Sequence, residues 1–384
     1  MTQNRRTAEI AGAGLAGLAV ATSMAQRGWK VRVHESSKEL REIGAGIYLW
    51  ENVHGALKEL GVYDKVVQAG VKSSQPRLLL DDRNREVNLL RETDPLPDLV
   101  VLLRTDLHRI LADRAIEAGV DIVTSSKVLS ATADGCLEFA HGTRRRADLV
   151  VGADGVFSRV RDSLKLARSV VQVRDGCGRH LIERKSDDCV NKRRIEAWTR
   201  GRRIGIAPAS KDYHYIFLCC PEDDMEGRLQ QPFNLEGWTT SHPWLRDYLE
   251  RMPKHPEEHW RPFFNVDCHS WSSGRAMIIG DAAHCMTPNL GQGAGIAIVN
   301  ATSLAHAVTE NKDVIEGLRL WERNERPYTE TTQKMSHLYG VVGTRWPDKL
   351  LSLRSKVLPI LSRTDRFQQG LRCAIDHVPA TGRA

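Results

Sequence analysis

Three groups of residues in this chain have types and spacings that can do chemistry. The first is Gly12-Ala13-Gly14-Leu15-Ala16-Gly17, a G-x-G-x-x-G pattern, with Glu35 further on. Gly12 permits a tight turn, Gly14 lets backbone approach a pyrophosphate, and Gly17 lets a helix pack closely on its strand. Leu15 and Ala16 lie in the turn that leads into the helix, whose N-terminal unpaired N–H groups suit phosphate oxygens. Glu35 can accept hydrogen bonds from ribose hydroxyls and disfavours a 2′-phosphate, so this site is expected to hold NAD or FAD rather than NADP. The second group is Gly152-Ala153-Asp154-Gly155, running on to Arg161. Asp154 is placed to fix backbone beside a cofactor, and Arg161 to meet phosphate or that carboxylate; an ordinary Asp-Gly turn reads equally well. The third is Gly280-Asp281, then Thr287-Pro288-Asn289-Leu290-Gly291-Gln292-Gly293-Ala294. Asp281 can bond a sugar-alcohol chain, and the helix opening after Gly293 offers its dipole to a group that carries negative charge. His284 reads as structural. No His, Cys or carboxylate group has metal-ligand spacing, so no metal is expected.

These groups need strands and helices to hold them. Glu9 to Ala11 ends a short strand, Leu18 to Gly28 is helical, and Trp29 to His34 alternates apolar and polar as a second strand. That is a compact βαβ unit. Ala147 to Gly152 and Ala276 to Gly280 are short, nearly continuous apolar runs, the mark of strands buried on both faces. Residues 72–100 and 175–270 are richer in polar, aromatic and Pro residues, with short alternating strands such as Tyr213 to Leu218. The expected fold class is therefore α/β: a Rossmann-type dinucleotide-binding domain with an inserted, mainly antiparallel β-sheet domain and C-terminal helices. The binding domain would be assembled from residues 1–71, 101–174 and 271–340, the inserted domain from 72–100 and 175–270, and the helical tail from 341–384. In the tail, Leu350, Leu353, Val357, Leu358 and Leu361 fall on one helical face, and Pro359 predicts a kink or break.

Composition narrows the field. Over 384 residues, 41% hydrophobic and 27% charged residues exclude a disordered or fibrous chain. Eight cysteines without C-x-x-C spacing read as reduced thiols, and no apolar run is long enough to span a membrane, so a cytoplasmic protein is expected. The net charge is +7, and +5 of it lies between Arg345 and Arg383, which leaves no basic surface to argue for nucleic acid.

The three motifs, in this order and at these spacings, resemble the FAD-dependent aromatic hydroxylases, the single-component class A flavoprotein monooxygenases. The likeness extends over most of the chain. The segment Lys38 to Ile47 resembles the family's stretch after the second strand, with Arg41 as its flavin-side arginine. Arg104 stands where the family has another arginine reaching the flavin, and Val128 matches a backbone position near the adenine. Gly44 to Asn52 and Gly293 to Ala301 resemble the 2-methyl-3-hydroxypyridine-5-carboxylate oxygenases in particular. By that resemblance Arg203 and Tyr215 are substrate-binding residues on the inserted sheet, with Arg77 near a third pocket position, and Arg203 is a carboxylate clamp. The resemblance implies that NADH or NADPH reduces FAD and that O2 adds at flavin C4a to give a hydroperoxide. The distal oxygen would pass to a hydroxypyridine or aromatic carboxylate, with simple hydroxylation or ring opening as the outcome. Pro288 and the backbone from Asn289 through Gly291, Gln292, Gly293 and Ala294 would line the place where that peroxide forms.

Other classes share part of the pattern. An NAD-dependent dehydrogenase would share the glycine motif but not the paired Asp-Gly and Gly-Asp strand ends. A non-enzymatic or membrane-surface flavoprotein is suggested by the basic tail, although such helices more often pack their apolar side on the protein. The partner expected is a small aromatic or heteroaromatic substrate, on a monomer or homodimer without peripheral membrane contact.

Overall fold

The computed structural model describes residues 5–40, 44–73, 75–89, 96–191, 193–228, 233–253 and 260–379. Its organising element is a six-stranded sheet in the spatial order Ser272–Ser273, Ala276–Ile278, Leu149–Gly152, Thr7–Ala11, Lys30–His34, Asp121–Val123. All neighbours in it are parallel except the short Ser272–Ser273 edge. Leu149, Val150, Val151 and Gly152 are all buried, as continuous apolar runs must be when helices cover both faces. The three motifs, far apart in sequence, therefore leave three adjacent strands at the same sheet edge. Ladder bonds carry past the strand ends and stitch the turns together: Ala153 N–H donates to the Ala11 carbonyl at 2.7 Å, and Ile279 N–H to Gly152 at 2.9 Å.

Helices Leu15–Gln26 and Gly293–Glu310 pack against each other beside this sheet. The Leu15–Gln26 helix starts earlier than its apolar pattern suggests, because Gly14 is extended and its carbonyl accepts from Leu18 N–H at 2.9 Å. The second large sheet has the order Trp260–Cys268, Ala167–Glu183, Tyr213–Pro221, Arg203–Pro208, Ile195–Trp198, Leu78–Leu80. It is antiparallel except where Leu78–Leu80 joins Ile195–Trp198 in parallel, so the expected antiparallel sheet is mixed at one edge. Its long strand begins at Ala167, ahead of residue 175. Between the large sheets lies a small one, Gly46–Trp50, Leu99–Leu103 and Val71–Ser73.

A 31-residue helix, Val314–Thr344, runs along the molecule and leads into helices Leu351–Ser362 and Asp365–Arg372. The tail differs from expectation in two ways. The Leu351–Ser362 helix continues through Pro359, which sits in its last turn. Its buried side is Leu351, Arg354, Leu358 and Ser362, whereas Leu350, Leu353 and Leu361 face outward. Burying the Arg354 guanidinium over the Trp198 ring, 5.1 Å from its centroid, rotates the helix away from its most apolar face. Among the described residues no helix is long and apolar enough to cross a membrane.

Candidate active site

The converging turns open onto one large cavity of about 960 Å³, bounded on the far side by the mixed sheet. Each glycine of the first motif has its own steric reason. Gly12 has φ +100, and a Cβ there would lie 2.3 Å from the Ala153 carbonyl oxygen. A Cβ on Gly17 would lie 2.0 Å from the Gly12 carbonyl oxygen. Gly14 differs, because a Cβ there meets nothing within 4 Å; it lines the cavity with Leu15 and Ala16. Gly12 and Gly17 thus serve packing, and Gly14 serves whatever approaches. Glu35 accepts from the amides of Ala13 at 3.1 Å and Ser37 at 2.8 Å. Burial alone would raise its pKa, but those amides and the Ser36 and Ser37 hydroxyls outweigh it and hold the carboxyl below its ordinary value. It is an anion at neutral pH at the end of its strand, as ribose recognition needs.

The second motif is used differently. The Asp154 carboxylate accepts from Ser158 Oγ and from the amides of Arg159 and Val160, capping the Arg159–Ser163 helix. Its neighbours Ala153, Gly155 and Val156 line the cavity. Arg161 does not pair with Asp154: it is buried, donating to the carbonyls of Val156 at 2.8 Å and Ala282 at 3.2 Å and to the Asp162 carboxylate at 3.1 Å. Behind the third motif, Gly280 has φ +63, and a Cβ there would press on Ala16 at 2.8 Å, so the first and third motifs are in direct contact. Asp281, Pro288, Gly291, Gln292, Gly293 and Ala294 line the cavity, and so does Arg104. His284 is buried behind it, its pKa pushed down to about 4 by burial. Val128 begins the strand next to Ser126, whose amide donates to the Glu35 carbonyl at 2.8 Å. Arg41 lies outside the described residues.

These residues fit FAD on observations of the cavity itself. Two helix N-termini, Leu15–Gln26 and Gly293–Glu310, present their first turns to it. Gly14 leaves open space beside the cavity, and the buried Gln292 Oε1 has no hydrogen-bond partner among the described residues. Gln292 Nε2 is held by the Leu371 carbonyl at 3.3 Å, which fixes the amide so that this orphan acceptor belongs to the turn lining the cavity. No group of three metal-ligating side chains occurs among the described residues.

On the mixed-sheet side the cavity carries a charge network that the sequence did not disclose. Glu196, on the Ile195–Trp198 strand, accepts from Arg77 at 2.5 Å, from Arg203 at 2.8 and 3.0 Å, from Trp198 Nε1 at 2.8 Å and from the Tyr339 hydroxyl at 3.2 Å. Burial by itself would raise its pKa; Arg77 and Arg203 reverse that and hold the carboxyl down to about 2. Arg203 is almost fully buried, and its remaining nitrogen donates to Asn289 Oδ1 at 2.6 Å. Its fork, expected to clamp a substrate carboxylate, is engaged by an internal one. Arg203 instead ties the mixed sheet to the turn after Pro288, because Asn289 Nδ2 donates in turn to the Ser336 carbonyl at 3.0 Å. Tyr215 lines the cavity and packs edge-on against Tyr48 at 6.2 Å between ring centroids. Gly46 allows that packing, since a Cβ there would meet the Tyr215 ring at 2.4 Å. Glu196, Arg194 and Tyr339 carry no motif, and tertiary packing of strands, turn and long helix brings them to Tyr48 and Asn289.

Comparison with known proteins agrees with this geometry. The FAD binding domain family matches residues 5–313. The chain is 34% identical over 340 residues to the 2-heptyl-3-hydroxy-4(1H)-quinolone synthase of Mycobacteroides abscessus, covering 88% of this chain and 90% of that one. It is 27% identical over 367 residues to the 6-hydroxynicotinate 3-monooxygenase of Bordetella bronchiseptica, covering 87% and 91%. Among solved structures, the tetrameric form of 2-methyl-3-hydroxypyridine-5-carboxylic acid oxygenase superposes with a TM-score of 0.85 at 34% identity, covering 98% of both chains. The dehydrogenase and non-enzymatic readings lose their support here, and the chain belongs to the FAD-dependent aromatic hydroxylases, a family of flavoprotein monooxygenases.

Proposed function

We propose that this enzyme uses NADH or NADPH and O2 to insert one oxygen atom into a small heteroaromatic or aromatic ring, a hydroxypyridine or an aromatic carboxylate. The observation that carries this reading is the single cavity shared by the Pro288–Gly293 turn and the Tyr215, Arg203 and Tyr48 side of the mixed sheet. FAD, when bound, supplies the chemistry of accepting a hydride and activating O2. The protein's part is to hold the cofactor through Gly14, Glu35, Arg104, Asp281 and the turn to Ala294, and to hold the ring against that turn.

Tyr48, Tyr215 and Phe217 give the ring an aromatic wall, and the Phe217 and Tyr215 rings are 6.1 Å apart. Burial pushes the Tyr48 and Tyr215 hydroxyls up, so both remain protonated donors across the neutral range. A neutral phenol can donate to a ring oxygen without giving up its proton. Gly291, at φ +64, brings the turn against the Tyr48 ring, where a Cβ would lie 2.6 Å away, so the flavin-side turn and the aromatic wall meet on the same cavity. The identity to an alkylquinolone synthase supports a second reading, a neutral bicyclic ring with an apolar tail, in the same cavity.

The test is substrate-stimulated NAD(P)H oxidation across hydroxypyridines, aromatic carboxylates and alkylquinolones, with product analysis. Oxidation coupled to an oxygenated product supports the reading. A panel in which no ring compound stimulates oxidation or becomes oxygenated contradicts it.

A further inference from the structure

The charge on the cavity wall is not balanced. Around Glu196 stand three guanidinium groups, Arg77, Arg194 and Arg203, so this cluster alone holds two more positive charges than negative, and Arg179 adds another cation on the same wall. Arg77 and Arg203 are both bonded to Glu196. Arg194 is not bonded to it. It stands immediately before the Ile195–Trp198 strand, 8% exposed, with its guanidinium 5.6 Å from the Tyr48 ring centroid and 5.2 Å from that of Trp50. It shares a hydrogen bond with the Tyr48 hydroxyl, and its buried Nε has no partner among the described residues. Arg194 lines the cavity. A buried cation with an unmet donor is costly unless something anionic completes it. Burial, with Arg77 adding repulsion, holds its pKa down to about 10, so it keeps its charge at neutral pH but is under-compensated.

We propose that Arg194, rather than Arg203, receives an anionic group of the substrate, and that this cavity selects ring acids over their neutral counterparts. The proposal rests on the monooxygenase reading for the ring, but it names the substrate class and the residue that sets it. The aromatic faces of Tyr48 and Trp50 hold the guanidinium plane, and the carboxylate completes it from the cavity side by charge-assisted hydrogen bonds. Arg77 uses one nitrogen on Glu196 and lies over the Tyr339 ring, adding attraction from the same wall.

The experiment measures binding to the FAD-loaded enzyme by perturbation of the flavin absorption spectrum, which needs no turnover. The probes are matched pairs of hydroxylated pyridine, benzene and quinoline carboxylic acids and their carboxamides, 6-hydroxynicotinate and 6-hydroxynicotinamide among them, with 2-heptyl-4-quinolone as a neutral ligand. In the wild type at least one acid binds tighter than its amide by roughly thirtyfold, the loss expected when one partner of a buried charge pair is removed. Arg194→Gln brings acid and amide to within about twofold of each other while amide binding is kept, and Arg194→Lys restores part of the gap. Arg203→Gln, by contrast, weakens acid and amide alike. No acid preference in the wild type overturns the proposal whatever the variants do, and so does an acid preference that survives Arg194→Gln. Oxygenation of neutral rings without acid preference overturns it and leaves the monooxygenase reading intact. Acid-selective binding with no ring oxygenated sustains Arg194 and contradicts that reading.

Discussion

Replacing Glu196 by Gln tests the charge network most severely. The carboxylate accepts from two guanidinium groups, an indole and a phenol, and is 2% exposed. Its ordinary pKa of 4.5 falls to about 2 in the folded protein, because Arg77 and Arg203 outweigh the burial that would raise it. At about 1.4 kcal/mol per pH unit, that difference is worth about 3 kcal/mol of folding free energy at neutral pH. Breaking a buried ion pair by removing one partner costs about 3–5 kcal/mol in general, so two independent routes agree. A depressed carboxyl pKa contributes stability above the unfolded value and loses it as pH falls through the folded value. The gap between wild type and Glu196→Gln is therefore constant from pH 8 down to about 5 and shrinks as pH drops below 4.5 toward 2. Urea unfolding followed by Trp fluorescence at a series of pH values measures it. A gap below about 1 kcal/mol at pH 7, or one that widens on acidification, refutes the reasoning.

Other expectations follow from the same geometry. Gly12→Ala, with φ +100 and its Cβ driven into the Ala153 carbonyl, destabilises the apoprotein by roughly 2 kcal/mol or more in thermal or urea unfolding. Gly14→Ala has open space for its methyl and leaves apoprotein melting unchanged, yet weakens FAD binding roughly tenfold or more by flavin-fluorescence titration. Glu35→Gln weakens FAD by a similar factor without shifting the flavin absorption maximum, since it removes a ribose acceptor and not a contact to the ring. Cys177 stands directly across the sheet from Cys219 on the cavity wall; burial raises its pKa, but the Cys219 thiol and Arg179 outweigh it and hold the thiol below its ordinary value. Iodoacetamide at pH 7.5 accordingly labels Cys177 before Cys219 and Cys220, and a bound ring ligand slows the labelling, as peptide mass spectrometry would show.

The cofactor half of the site was legible in the sequence because its information is local. A glycine whose φ is positive, or whose Cβ would strike a neighbour, is a constraint on one position, and Gly12, Gly17 and Gly291 each carry one. Buried parallel strands show as continuous apolar runs, and the runs Ala147 to Gly152 and Ala276 to Gly280 contain the adjacent strands Leu149–Gly152 and Ala276–Ile278. The substrate half depends on register. Arg203 and Tyr215 come from neighbouring strands, Arg77 precedes an edge strand, and Tyr339 comes from a helix more than a hundred residues later. Nothing local in Glu196 says that two arginines will converge on it, so Arg203 read as a free clamp. The tail misled for a related reason: its apolar period was real, but a buried Arg354 on Trp198 set which face turned inward.

In the proposed reaction O2 supplies one oxygen atom to a ring held in this cavity. The most direct measurement is turnover of a stimulating ring compound under heavy-isotope-labelled O2, with mass spectrometry of the product. The expected product carries one labelled oxygen atom per molecule, with NAD(P)H consumed in step. A product carrying only oxygen from water, or NAD(P)H oxidation that yields hydrogen peroxide alone with every ring compound tried, would contradict the proposed reaction.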